Sequence, residues 1–242
     1  MADRTNVTVR FLEGLTIVLS ILAAFVLDSW WDDHVAARAL DEGLIAVVEE
    51  LDLAERHVAE RVEAYSRVEG YLVTILDLFG AEREGSVIEI PDTLMPAILY
   101  TPTIDPPTGA LDAFFRAGLL ASVADPEVRK RLAALPSQYA DGEDDERDAL
   151  EYTLATVRPL LERSLSAQDF TAVMGQTQHY WSLFRASAPW NTPVSNIRLQ
   201  ATSELHNAIA SRLQMLRTSQ YEVRSLGREI ATTAKMLHEA SP

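Results

Sequence analysis

From Val35 to Phe79 the chain has no proline, and its apolar positions advance by threes and fours. They are Leu40, Leu44, Val47, Leu51, Ala54, Val58, Val62, Tyr65, Val68, Leu72, Ile75 and Phe79. That cadence is close to 3.5 residues and marks the seam of a long amphipathic helix of coiled-coil type. The opposite face is acidic, with Asp41, Glu42, Glu49, Glu50, Asp52, Glu55, Glu60, Glu63 and Glu69, and reads as solvated surface. A second proline-free stretch, Ser195 to His238, repeats the pattern through Ile197, Ala201, Leu205, Ala208, Leu216, Val223, Leu226, Ile230, Ala234 and Leu237. Arg212 breaks its seam, with Ile209 and Leu213 as apolar alternates. Residues 35–79 hold ten acidic and four basic side chains, whereas residues 195–242 hold four and six. Such complementarity favours antiparallel pairing. The expected fold is all-α: an elongated helical bundle with two long antiparallel helices, each about 65 Å at about 1.5 Å per residue. Shorter helices would gather at the end remote from the N-terminus. The pattern leaves open whether the long helices pair within one chain or between two.

Between these stretches the punctuation changes. Gly80, Gly85, Pro91, Pro96, Pro102, Pro106 and Pro107 interrupt helix, and Ser86 to Ile90 suits a short extended piece. Ile88, Ile90, Leu94, Met95, Ile98, Leu99 and Tyr100 mark this connector as packed on the domain. Thr108 can cap a helix to about Ala117, stopped by Gly118. Asp125 with Pro126 starts another, expected to stop at Pro136. The acidic run Asp141 to Asp148 reads as a solvated loop entering a helix over about 146–165, kinked or divided at Pro159. An aromatic-rich helix then runs from Ser166 to Trp190. Tyr180, Trp181 and Trp190 are its candidate ligand-pocket residues, although ordinary core is the plainer reading of such aromatics.

Near the N-terminus, Gly14 to Leu27 is an uncharged run of fourteen residues. With Phe11 and Leu12 before it and Trp30 and Trp31 after it, the run reads as a single transmembrane helix over 11–31. A signal peptide and a buried core helix are the competing readings. Arg4 and Arg10 precede the run, and Asp28, Asp32 and Asp33 follow it. That asymmetry predicts a short cytoplasmic tail at 1–10 and a periplasmic domain at 32–242, in a bacterial inner membrane. Arg10, Phe11, Gly14, Ser20, Trp30 and Trp31 are the candidate anchor and interface residues. Gly14 and Ser20, with Ala23 and Ala24, are small enough to let another helix approach. The partners this topology implies are membrane lipid, other membrane-complex subunits and a second copy in a homo-oligomer.

A net charge of −15 argues against nucleic acid as a partner. The absence of cysteine excludes disulfides, thiol catalysis and Cys-ligated metal. His34, His57, His179, His206 and His238 are scattered, with no pair at metal-ligand spacing and no H-E-x-x-H. There is no G-x-S-x-G, P-loop or G-x-G-x-x-G. No catalytic, metal or cofactor-binding residue is nominated.

The opening IVLSILAAFVLDSWWDD, with the acidic helix ALDEGLIAVVEELD after it, resembles a group of uncharacterised bacterial single-pass membrane proteins. PPTGALDAFFRAGLLASVADPEVRKRL, Pro106 to Leu132, is a second matching stretch. Asp28 departs from the Asn commoner in that group, as does the tandem Trp. The resemblance implies the anchored topology and carries no established activity. The function expected is a membrane-anchored, non-enzymatic scaffold or accessory subunit of a larger membrane assembly, of which respiratory and photosynthetic complexes are examples. The alternatives are a periplasmic sensory or ligand-binding helical domain acting through a partner, and an enzyme using clustered carboxylates.

Overall fold

The computed structural model describes residues 3–170, 173 and 196–240, with side chains from Leu15 onward, Ile17 and Ala240 excepted. The first helix, α1, runs unbroken over Asp3–Gly80. Strand β1, Val87–Pro91, follows, then a 3-10 turn at Met95–Ile98, α2 at Gly109–Arg116 and a second 3-10 turn at Leu119–Ser122. Next come α3, Pro126–Tyr152, a π-turn at Thr153–Val157, and α4, Arg158–Ser164. Strand β2, Asn196–Gln200, leads into the last helix, α5, Ser203–Ala240.

The two long helices pair within the chain. Glu69 meets Arg217 at 2.7 Å, and Ser66 accepts from Arg224 at 3.3 Å. Asp52 faces His238, and Phe79 faces His206. Residues ascending α1 therefore meet residues descending α5, which is the antiparallel arrangement. Every α1 seam residue from Val47 to Phe79 is buried except Val62, which is half-buried. The helices approach closely at Gly227, where a Cβ would lie 2.7 Å from Val58 Cγ1. Val58 is β-branched and has little rotamer freedom in a helix, so it cannot swing aside. Gly227→Ala should therefore cost about 1–3 kcal/mol by overpacking, despite the better helix propensity of alanine. Urea denaturation checks this, and adding Val58→Ala should recover much of the loss.

The shorter helices lie along this pair instead of gathering at its far end. Gly43 of α1 sits against Phe114 and Leu119, so α2 packs near the start of the buried seam. Arg131 of α3 reaches Glu229 of α5 at 2.7 Å.

Three features correct the sequence reading. The fold is mostly helical but contains an antiparallel ribbon, with Ile88 opposite Leu199 and Ile90 opposite Ile197. All four are buried. Ile197 belongs to this strand because N-I-R-L-Q alternates with period two, and α5 begins after Thr202, whose hydroxyl accepts from Leu205 N–H at 3.2 Å. Second, α3 passes through Pro136 and contains the acidic run as helix. Pro136 lies on the exposed face, and the expected break at Pro159 appears one turn earlier, as the π-turn. The wider turn makes room for a ring that would clash with the preceding one.

The third correction concerns the expected transmembrane helix over 11–31. Among the described residues no helix is long and apolar enough to cross a membrane. The fourteen-residue run covers about 21 Å at about 1.5 Å per residue, short of the roughly 30 Å hydrocarbon core. Its extension to Phe11 and Trp31 brings in Glu13 and Asp28. The inner-membrane placement, with a cytoplasmic tail and a periplasmic domain, falls with it.

Candidate functional site

Two parts of the molecule depart from ordinary helical packing. The first is the N-terminal arm of α1. Leu15, Val18, Leu19, Ile21, Leu22, Phe25, Val26 and Leu27 are all exposed, although α1 continues unbroken into the bundle. Phe25 is 67% exposed, and Trp30 and Trp31 are 60% exposed. All of them but Leu27 fall on one broad side of the helix, opposite Thr16, Ser20, Ala23 and Ala24. An apolar face of this width is ordinarily packed against a partner. Trp30 stacks on His34 with ring centroids 5.7 Å apart, and Ser20 donates to the Thr16 carbonyl at 2.8 Å. Of the nominated anchor residues, Ser20, Trp30 and Trp31 are thus placed on an exposed arm. The side chains of Arg10, Phe11 and Gly14 lie outside the described residues. Asp28, Asp32 and Asp33 form an exposed acidic collar where the arm meets the bundle.

The second part is a polar centre beneath the strap 101–108 that links the first 3-10 turn to α2. Glu146 of α3 is 4% exposed, and Tyr65 of α1 is fully buried. Tyr65 Oη lies 3.1 Å from Glu146 Oε1 and 2.9 Å from the Pro102 carbonyl. The Ile104 N–H points between both carboxylate oxygens, at 2.8 and 2.9 Å. Burial pushes the Glu146 carboxyl up to about 7, against the opposing pull of the Ile104 and Tyr65 hydrogen bonds and the Arg61 charge. Burial and the neighbouring carboxylate raise the Tyr65 phenol as well. Next to the start of the strap, Arg212 of α5 is 1% exposed. Its Nε donates to the Ile98 carbonyl at 2.5 Å and its Nη2 to Ala97 at 3.0 Å and to Tyr100. These carbonyls close the C-terminal end of the 3-10 turn, where positive charge is favoured. Burial lowers the guanidinium to about 10, which leaves it charged at neutral pH.

Neither group was nominated from sequence. Glu146 continues the register Val128, Leu132, Leu135, Tyr139 at helical spacing once α3 is read through Pro136. Arg212 stands at a seam position, and a charge there in an otherwise apolar register was the available signal.

A second carboxylate also acts at a distance in sequence. Thr108 occupies the cap position of α2 but makes no side-chain capping bond. Glu50 of α1 replaces it, accepting from Ala110 N–H at 2.6 Å and Leu111 N–H at 2.9 Å. Glu50→Ala should therefore cost about 1–2 kcal/mol and fray α2, whereas Thr108→Ala should stay within about 0.5 kcal/mol. Thermal melts of the two variants compare them directly.

A cleft of about 180 Å³ lies between the strap, α3 and α5, lined by Ile104, Gln138, Asp141, Glu222, Leu226 and Glu229 among others. Among the described residues no group of three His, Cys, Asp or Glu side chains could hold a metal ion. Tyr180, Trp181 and Trp190, the candidate pocket residues, lie outside the described residues. No protein-family model, curated protein or solved structure matches this chain.

Proposed function

We propose that this chain is a non-enzymatic scaffold or accessory subunit that joins a larger protein assembly through its N-terminal arm. The observation that carries the reading is the arm itself: eight large apolar side chains from Leu15 to Leu27, with Trp30 and Trp31, exposed on a helix whose remainder is rooted in a closed core. Exposed apolar surface of this extent marks an interaction site. The acidic collar of Asp28, Asp32 and Asp33 selects a partner with basic residues at the rim of an apolar groove between helices. The bundle supplies rigidity. A continuous helix through Gly80 fixes the arm to the core without a hinge. The core is closed by apolar seams and by polar side chains bonded to backbone, an economical way to present one helix at a set angle.

The test is purification of the chain from its own host under mild conditions through a C-terminal tag. Other proteins recovered in fixed stoichiometry, and lost when the arm is altered with the bundle intact, support the proposal. Recovery of the chain as a lone monomer contradicts it.

A further inference from the structure

We propose that Glu146 is a proton-operated clasp: when protonated it holds the strap 101–108 onto α1 and α3, and when ionised it lets the strap lift from the cleft beside Ile104.

The geometry allows two hydrogen-bond arrangements on one set of positions. Tyr65 Oη lies within bonding distance of both the Pro102 carbonyl and Glu146 Oε1 but has a single proton to give. With Glu146 protonated, the carboxyl donates to the phenol oxygen, Tyr65 donates to Pro102, and Ile104 N–H donates to the carboxyl. All three polar groups are then joined in one chain that ties α3 to α1 and both to the strap. With Glu146 ionised, Tyr65 must serve either the carboxylate or the Pro102 carbonyl. One of them is left short in a site where both Tyr65 and Glu146 are almost wholly buried.

Among the described residues, the charges around the carboxylate do not complete a buried ion pair. From α1 come Arg61 and Tyr65, from the strap's start Tyr100, and from its own helix Glu143. On the α5 side, Ser219 contacts Tyr65, and Arg212 is turned to backbone carbonyls. Glu222 and Glu229 of α5, with Asp141 of α3, line the neighbouring cleft and disfavour a further negative charge. Glu229 is partly offset by Arg131. Ile104 is both the residue held by Glu146 and a wall of that cleft, so release of the strap opens it.

The sign follows from linkage. The folded carboxyl sits near 7, above the ordinary value of 4.5 it regains when the strap lifts. The closed state is therefore favoured most below the ordinary value, and that advantage is lost as pH rises toward 7. Hydrogen exchange of the intact chain, corrected for the intrinsic pH dependence of exchange, reads the opening at the Ile104 amide. Opening should rise by about tenfold per pH unit between about 5 and 7 and then level off. Amides of Val68 and Leu72 in α1 should not follow it. In Glu146→Gln, which keeps an acceptor for Ile104 and cannot ionise, opening should be independent of pH. In Tyr65→Phe, which keeps the ring and removes a donor that stabilises the carboxylate, the rise should extend to higher pH. A flat profile in the wild type, an unchanged rise in Glu146→Gln, or an equal rise throughout α1 overturns the clasp. If Glu146→Gln does not fold, the Tyr65→Phe shift decides the matter alone, and its absence overturns the proposal.

Discussion

Replacing Leu22 and Phe25 together by Glu is expected to reduce association with the partner assembly by at least about a hundredfold while leaving the bundle folded. Both side chains are more than half exposed, so neither contributes to the core that closes from Val47 onward. On docking, each would be covered by apolar surface. Anchoring side chains at the centre of an interface commonly contribute about 2 kcal/mol or more each. A glutamate left there would add the cost of a buried charge without a partner. The helical circular-dichroism signal and the denaturation midpoint should change little, because no tertiary contact is lost. A companion substitution separates apolar from electrostatic recognition. Neutralising Asp28, Asp32 and Asp33 as Asn should slow association and weaken its salt dependence, with a smaller loss of affinity.

Arg212→Met is expected to destabilise the fold by about 2–4 kcal/mol, a larger loss than Gly227→Ala or Glu50→Ala should produce. The guanidinium donates to the carbonyls of Ala97, Ile98 and Tyr100 in an enclosed site. Methionine fills similar space but leaves those carbonyls without a donor, at about 1–3 kcal/mol for each that water cannot reach. Relief from burying a cation offsets part of this. Nη1 has no partner among the described residues, so not every donor contributes to the wild type. Arg212→Lys should recover little, since a single ammonium cannot span three carbonyls as a planar fork does. Chemical denaturation gives the magnitude. Limited proteolysis should show cleavage appearing first around the 3-10 turn and the strap, where the clamp acts.

These two sites illustrate what a sequence discloses and what it hides. The α1 seam was legible residue by residue, because a helix packed on one side must place apolar groups every three or four positions. The seam of α5 from Leu205 to Leu237 was legible for the same reason, and so was the Asp125–Pro126 start of α3, where Asp125 accepts from Glu127 and Val128 N–H. Pairing of the two seams within the chain became visible only in the fold. Ile197 misled because one apolar residue satisfies both a helical and an alternating pattern. Its strand partner is more than a hundred residues away in sequence. Pro136 misled because proline forfeits one hydrogen bond but does not always end a helix when its ring faces solvent. Glu146 was hidden among the acids of DGEDDERD, of which it alone is buried. Glu50 was hidden on a face read as solvated. In both cases the partners include backbone N–H groups, which leave no trace in the residue pattern. The apolar arm was legible as an unusual helix, but its length between Glu13 and Asp28 decides against a membrane span.

The most direct test of the scaffold reading places a photoactivated cross-linker at Phe25 on the arm and, separately, at Tyr221 on the exposed face of α5, in the native host. Cross-linking from Phe25 to one defined protein in near-stoichiometric yield, with none from Tyr221, is the predicted result. Equal labelling from both positions, or no protein adduct from Phe25, would contradict the account.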